Sequence, residues 1–156
     1  MKVFISYGSI ADQVTALRLQ ALAAVNGLTV YVPPAYTRQV LPASLEPETR
    51  LKLNEADLIL GVVGAGWTEA CKQELNAGIE LSKNMIVMSD PVLAPVLQTH
   101  FGSNVVVIDP ANPGEAEIDM VRYLKTVNAE QNVKKTLLAL GTLALGLLIF
   151  APADRK

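Results

Sequence analysis

The chain alternates between short apolar runs rich in β-branched residues and longer segments with helical periodicity. Runs such as LILGVV at residues 58–63 are apolar throughout, which is typical of strands buried on both faces of a sheet. The pattern predicts strands at residues 2–7, 29–32, 57–63, 84–88 and 104–109. It predicts helices at residues 12–26, 45–54, 67–83, 92–100 and 114–128. Such alternation indicates an α/β domain, a five-stranded parallel sheet with helices on both faces.

The predicted helix at residues 67–83 carries a carboxylate on its apolar side. At about 100° per residue, one stripe of this helix contains Trp67, Ala70, Cys71, Gly78 and Leu81. Glu74 lies in the middle of that stripe. A carboxylate there is costly unless it is paired, hydrogen-bonded or next to a cleft. Glu74 is therefore either a capped or snorkelling residue at the edge of the core or a catalytic or ligand-binding carboxylate.

Several polar residues follow the first predicted strand, at the edge of the sheet where ligands bind in open α/β folds. Tyr7, Gly8 and Ser9 occupy this position. The Tyr7 ring is suited either to stacking on a base or ribose or to plugging the end of the sheet. Ser9 is also a residue type that begins helices. The glycines of GVVGAG at residues 61–66 lack the spacing of a phosphate-binding loop and favour tight turning.

The segment at residues 33–44 is long for a connection between a strand and a helix. It contains three prolines, Tyr36 and Arg38. Long loops of this kind often carry function, so the segment is predicted to be a rigid interaction loop or a substrate lid.

Hydrophobic residues make up 51% of the chain, more than a plain soluble domain needs, and the surplus is concentrated in an apolar segment near the C-terminus. Residues 136–153 carry no charge, and nine of them are Leu, Ile or Phe. As a helix they would span about 27 Å, and lysines or arginines on both sides can reach the membrane surface. We predict a single-pass membrane anchor rather than a buried hairpin or core helix. The predicted organisation is a globular domain at 1–128, a linker at 129–135, the membrane helix at 136–153 and a tail at 154–156.

The charge distribution limits the classes of partner. Residues 1–132 contain 9 Lys/Arg and 14 Asp/Glu, a net charge of −5, which argues against nucleic-acid binding. Lys134 and Lys135 directly precede the apolar segment and predict that the globular domain lies on the cytoplasmic side. A single cysteine and a single histidine, His100, exclude an intrachain disulfide and metal sites built from several of these residues.

Together these segments resemble a TIR (Toll/interleukin-1 receptor) domain of bacterial type over about residues 2–128. VFISYGSIAD resembles the first TIR box, and GLTVYVPP with the following residues through LILGVV resembles the second strand, the BB loop, and the next helix and strand. CKQEL matches the C-x-x-E-L of the third helix, where the family's catalytic glutamate resides.

This resemblance implies a flavodoxin-like fold and cleavage of the nicotinamide–ribose bond of NAD, by hydrolysis or cyclisation, in antiviral or stress signalling. NAD would be the substrate, with no cofactor and no metal, and TIR–TIR contacts would form through residues 33–44. Glu74 would be the catalytic glutamate. The substrate-binding residues would be Tyr7, Gly8, Ser9, Arg38 and Trp67.

Other functions stay open at this point. Gly8 replaces a basic residue and Pro33 an acidic residue often found in the family, and Trp67 precedes Glu74 by seven positions instead of four. The first two departures favour a non-enzymatic adaptor that signals through TIR–TIR contacts at the membrane. A nucleoside-processing enzyme resembling a deoxyribosyltransferase is a third possibility, since it shares the sheet type and uses a carboxylate.

Overall fold

The computed structural model describes residues 1–35, 45–109 and 111–129. Within these residues strands and helices alternate in the order β1 Lys2–Tyr7, α1 Ile10–Val25, β2 Thr29–Tyr31, α2 Pro47–Glu55, β3 Leu58–Val63, α3 Glu69–Glu80, β4 Asn84–Ser89, α4 Ala94–Phe101, β5 Val105–Val107 and α5 Pro113–Ala129. All strand pairs are parallel, and the strand order is β2-β1-β3-β4-β5. The predicted α/β domain with a five-stranded parallel sheet is confirmed. This strand order is that of flavodoxin-like sheets, and it places the switch point between β1 and β3.

Helices cover both faces of the sheet and form two separate apolar layers. One layer joins α1 and α5 to the sheet, with Leu19 and Met120 packed near Ile5. The other layer joins α2, α3 and α4 to the opposite face, with Leu75 and Leu97 among its fully buried side chains. Every residue of β3 is buried, as its uninterrupted apolar sequence predicts.

Helix α3 is shorter than the predicted helix at residues 67–83. Thr68 has extended backbone angles, so the helix begins at Glu69 and leaves Trp67 in the preceding loop. Ser82 has a positive φ of 53°, which stops the helix after Glu80. The prediction that Leu81 shares the buried stripe is therefore wrong, since this residue lies beyond the last helical turn and is 42% exposed.

The edge strands are also shorter than predicted, because each pairs with only one neighbour. β2 and β5 have three residues each. Among the described residues no helix is both long and apolar enough to cross a bilayer. The predicted membrane segment at 136–153, the tail and all of the linker except residue 129 lie outside the described residues, and residue 129 belongs to α5.

Candidate functional site

Glu74 lies inside the protein on the face of α3 that packs against the sheet. Glu74 is one of the buried residues of this helix and is only 2% exposed. The hydroxyl of Ser6, on β1, donates a hydrogen bond of 3.0 Å to Glu74 Oε1. Ser6 is itself fully buried. The predicted position of Glu74 on the inner side of the helix is confirmed, and one of its partners comes from the central part of the sheet.

Cys71 extends this buried polar contact by one helical turn. Its sulfur lies 3.2 Å from the Ser6 hydroxyl oxygen, and the residue is fully buried. A serine hydroxyl carries one proton but can also accept hydrogen bonds. When Ser6 donates to Glu74, the Cys71 thiol is the group that can donate to Ser6. Ser6 thus connects the Glu74 carboxylate and the Cys71 thiol in one buried polar network, in which each hydrogen bond can polarise the next.

A glycine in α3 allows the helix to lie close to the sheet. A Cβ added to Gly78 would overlap Ile59 Cδ1 and approach Met85 Cε to 2.9 Å. Both atoms are the ends of side chains, Ile59 on β3 and Met85 on β4, so a larger residue at position 78 requires these side chains to move. Gly78 therefore allows α3 to pack closely against the sheet in the turn that follows Glu74.

At the switch-point crevice, hydrogen bonds connect the loop after β1 to the end of β3 and to the loop before α3. The Gly8 backbone N–H donates to the Val62 carbonyl at 2.8 Å, and the Gly8 carbonyl accepts from the Thr68 N–H at 2.8 Å. A Cβ on Gly8 would overlap the carbonyl oxygen of Gly66. The absence of a side chain at position 8 is thus a packing requirement of this crevice.

Asp12 and Ser9 add side-chain hydrogen bonds to these loops. Asp12 Oδ1 accepts backbone N–H groups from Gly64 at 3.1 Å and Ala65 at 2.9 Å. Ser9 is the N-cap of α1, with its hydroxyl accepting the Asp12 N–H. Ser9 thus has the helix-starting role that its residue type favours, while Asp12 holds the turn between β3 and α3.

Tyr7 lies on the opposite face of the sheet from Glu74. It is 1% exposed and packs in the layer formed by α1 and α5. Its hydroxyl donates a hydrogen bond of 2.8 Å to the Pro33 carbonyl. Of the two uses considered for the ring, the structure has it filling the end of the sheet. Adjacent residues of a strand point to opposite faces, so Ser6 and not Tyr7 reaches Glu74.

Trp67 contacts the end of α4. Its ring lies 5.1 Å from the ring of His100 and 6.0 Å from that of Phe101, in both cases edge to face. Lys72 Nζ lies 5.0 Å from the Trp67 ring centroid. The indole nitrogen is buried, with no hydrogen-bond partner among the described residues. Arg38 and residues 36–44 of the predicted interaction loop lie outside the described residues.

The polar partners of Glu74 are the part of the site that the sequence analysis missed. Ser6 is 68 positions from Glu74, but it is a polar residue within the apolar run of β1. That interruption is the signal that could have identified it. The described residues contain no group of three or more His, Cys, Asp or Glu side chains arranged to bind a metal ion.

The fold and this site define a parallel α/β domain with a carboxylate buried beneath the carboxyl edge of its sheet. No protein family model matches the sequence, and no curated protein matches it.

Proposed function

We propose that this protein is a membrane-anchored, TIR-like enzyme that cleaves the nicotinamide–ribose bond of NAD in immune or stress signalling. The observation that carries the proposal is Glu74, a carboxylate 2% exposed within the C-x-x-E-L segment of α3 and hydrogen-bonded by Ser6. Keeping a carboxylate in an apolar layer costs stability, and such costs concentrate at functional sites. The strand order supports the proposal by placing the β1 and β3 loops at a switch point, where α/β sheets bind ligands.

In the proposed reaction the bond between the nicotinamide nitrogen and C1′ of the ribose breaks. The bonding electrons leave with nicotinamide, which becomes neutral, and positive charge develops on the ribose. The Glu74 carboxylate stabilises that charge and orients the ribose hydroxyls. Water then bonds to C1′ and loses a proton, which gives ADP-ribose, while attack by an atom of the same molecule gives a cyclic product. Nicotinamide leaves readily, so no general acid is required.

Ser6 and Cys71 act in this proposal as positioning residues for the carboxylate. Their hydrogen bonds fix the orientation of Glu74 without contacting the substrate. Because the residue is 2% exposed, the ribose reaches it only after a rearrangement near α3. In this proposal, self-association through residues 33–44 triggers the rearrangement. Anchoring by residues 136–153 raises the effective concentration of the protein at the membrane and so favours self-association. The globular domain would lie on the cytoplasmic side.

A second candidate is a non-enzymatic adaptor that signals through TIR–TIR contacts at the membrane. The observation that favours it is the same low exposure of Glu74, because a carboxylate satisfied by Ser6 inside the domain is also a stable structural element. Gly8 supports this candidate, since its packing against Gly66 leaves no room for the basic residue common in the family.

The test is an incubation of NAD with the full chain reconstituted on liposomes at low and high surface density. The enzyme proposal expects nicotinamide release, measured by chromatography, to rise more than in proportion to density. Isotopically heavy water separates the products, because hydrolysis places the heavy oxygen on ADP-ribose and cyclisation does not. No release at any density, from a protein whose fold is intact by circular dichroism, would contradict the enzyme proposal.

A further inference from the structure

A cavity of about 380 Å³ opens at the carboxyl edge of the sheet on the face opposite Glu74. We call it the α1–α5 cavity, because Asp12 and Thr15 of α1 and Glu117 of α5 form its walls. Val62, Met88 and Ile108, from the ends of β3, β4 and β5, provide an apolar floor. Its volume falls within the range typical of small-molecule sites, and its position is where open parallel sheets bind ligands.

The charged groups that line the cavity are carboxylates. Asp12, Asp90 and Glu117 all contribute to its surface. Glu117 accepts hydrogen bonds on both oxygens from Arg18, and these bonds, followed by the charge of Glu117, raise the pKa of Arg18. Within the described residues no lysine or arginine forms an ion pair with Asp12 or Asp90. The three carboxylates and the single cation of Arg18 together give this region a formal net charge of −2.

The hydrogen bonds of these carboxylates show which oxygen is available to a ligand. Asp12 Oδ1 accepts the Gly64 and Ala65 N–H groups, and Oδ2 accepts the Ser9 hydroxyl. Asp90 Oδ1 accepts the Leu93 N–H at 2.8 Å, and its second oxygen has no hydrogen bond among the described residues. Asp90 is half-buried and lines the cavity. Asp90 is therefore the carboxylate that keeps an oxygen for a charged ligand, and Asp12 adds to the negative potential of the cavity.

We propose that the α1–α5 cavity binds a small organic cation, an amine whose apolar body rests on Val62, Met88 and Ile108 while its ammonium group donates to Asp90. Apolar lining residues together with a carboxylate that keeps one oxygen for a ligand favour a ligand that is apolar at one end and cationic at the other. The same negative potential repels phosphates, so NAD does not compete for this site. The inference does not depend on the proposed cleavage of NAD, since Glu74 lies on the other face of the sheet.

The test uses three probes that share a phenyl ring and differ in charge: 2-phenylethylamine, 2-phenylethanol and phenylacetate. The full chain in zwitterionic lipid nanodiscs is labelled at methionine and isoleucine methyl groups, and each probe is titrated at neutral pH to millimolar concentration. We expect the amine to shift the Met88 and Ile108 methyl resonances at lower concentration than the alcohol, and phenylacetate to bind most weakly. A lack of shift at both methyl groups with the amine, or equal binding of amine and phenylacetate, would overturn the proposal.

Asp90→Asn removes the charge and keeps an oxygen that can accept the Leu93 N–H. Asp57→Asn is the matched control, because Asp57 also accepts a backbone N–H, from Lys2, and does not line the cavity. We expect Asp90→Asn to weaken amine binding by about threefold or more, the size expected for a partly exposed ion pair, and to leave the alcohol unchanged. Equal amine binding by the two variants would contradict the role of Asp90.

Discussion

Polar side chains buried in this domain are satisfied to different degrees. Glu74 accepts a hydrogen bond from Ser6, whereas the Tyr123 hydroxyl has no partner among the described residues. Tyr123 is 5% exposed in the layer between α5 and the sheet, and its burial raises the pKa of the phenol to about 12. An unpartnered buried hydroxyl costs free energy, and its ionised form would cost more.

The raised pKa of Tyr123 predicts a loss of stability in strong base. The pKa of the phenol is near 10 in the unfolded chain and about 12 in the folded protein, so the fold favours the neutral phenol over the ionised one. The stability that comes from this preference is fully present below pH 10. That contribution, on the order of 2 kcal/mol, disappears as the pH rises from about 10 to about 12. We expect Tyr123→Phe to keep more of its free energy of unfolding across this window, measured by urea denaturation at several pH values. Parallel losses in wild type and variant between pH 10 and pH 12 would contradict the assignment.

At residue level the sequence predicted the position of Glu74 but not its surroundings. The helical stripe alone indicates that this carboxylate faces inward. Its partner Ser6 depends on where α3 crosses β1, which a local pattern does not contain. The opposite orientation of Tyr7 was accessible from strand alternation, because Ser6 and Tyr7 are neighbours in β1.

At the level of elements, the loops after β1 and β3 act as one structural unit. Gly8 forms backbone hydrogen bonds to both Val62 and Thr68, and Asp12 holds the following turn. This unit sets the start of α3 and, through that helix, the position of Glu74. The close contact between Gly8 and Gly66 makes the unit sensitive to a single methyl group.

Gly8→Ala is expected to destabilise the domain by about 2 kcal/mol or more, because the added Cβ overlaps a backbone oxygen that cannot rotate away. Gly114→Ala is the matched control, since a Cβ there meets nothing within 4 Å and its position in α5 favours alanine. The control should be neutral or more stable by about 0.5 kcal/mol in urea denaturation. Equal stability of the two variants would contradict this prediction, because it would show that the loops can move apart for the added Cβ without loss of folding free energy.

The existence and order of the elements could be predicted, while their ends depended on contacts between segments. Apolar runs predicted all five strands, because strands buried on both faces leave a strong pattern. The start of α3 was placed too early, because Trp67 continues the helical stripe but lies in a loop against α4. The hydrogen bonds that connect the loops after β1 and β3 come from backbone groups, which a side-chain pattern does not show.

At the level of the whole molecule, the two faces of the sheet carry different chemistry. Glu74 and its hydrogen-bonded neighbours lie in the layer of α2, α3 and α4, while the α1–α5 cavity lies on the other face. The sheet between them is fully buried at β3, so a ligand on one face does not contact a ligand on the other. In the proposed function, the segment at 136–153 anchors this domain to a bilayer.

Membrane anchoring predicts that the full chain floats with liposomes in a density gradient. A chain ending at residue 129, after α5, should remain at the bottom, because it lacks the apolar segment. Flotation at high salt separates insertion from electrostatic attraction, which salt screens. Flotation of the shortened chain, or a full chain that stays at the bottom, would contradict the anchor.

The most direct test of the central claim is the rate of nicotinamide release by Glu74→Gln, measured on liposomes at the density where the wild type is most active. Glutamine keeps an oxygen that can accept the Ser6 hydroxyl but carries no charge, so the fold should persist while transition-state stabilisation is lost. The control Glu80→Gln changes an exposed glutamate of the same helix. We predict a loss of about 100-fold or more for Glu74→Gln and an unchanged rate for Glu80→Gln. A folded Glu74→Gln protein that releases nicotinamide at the wild-type rate would contradict the account.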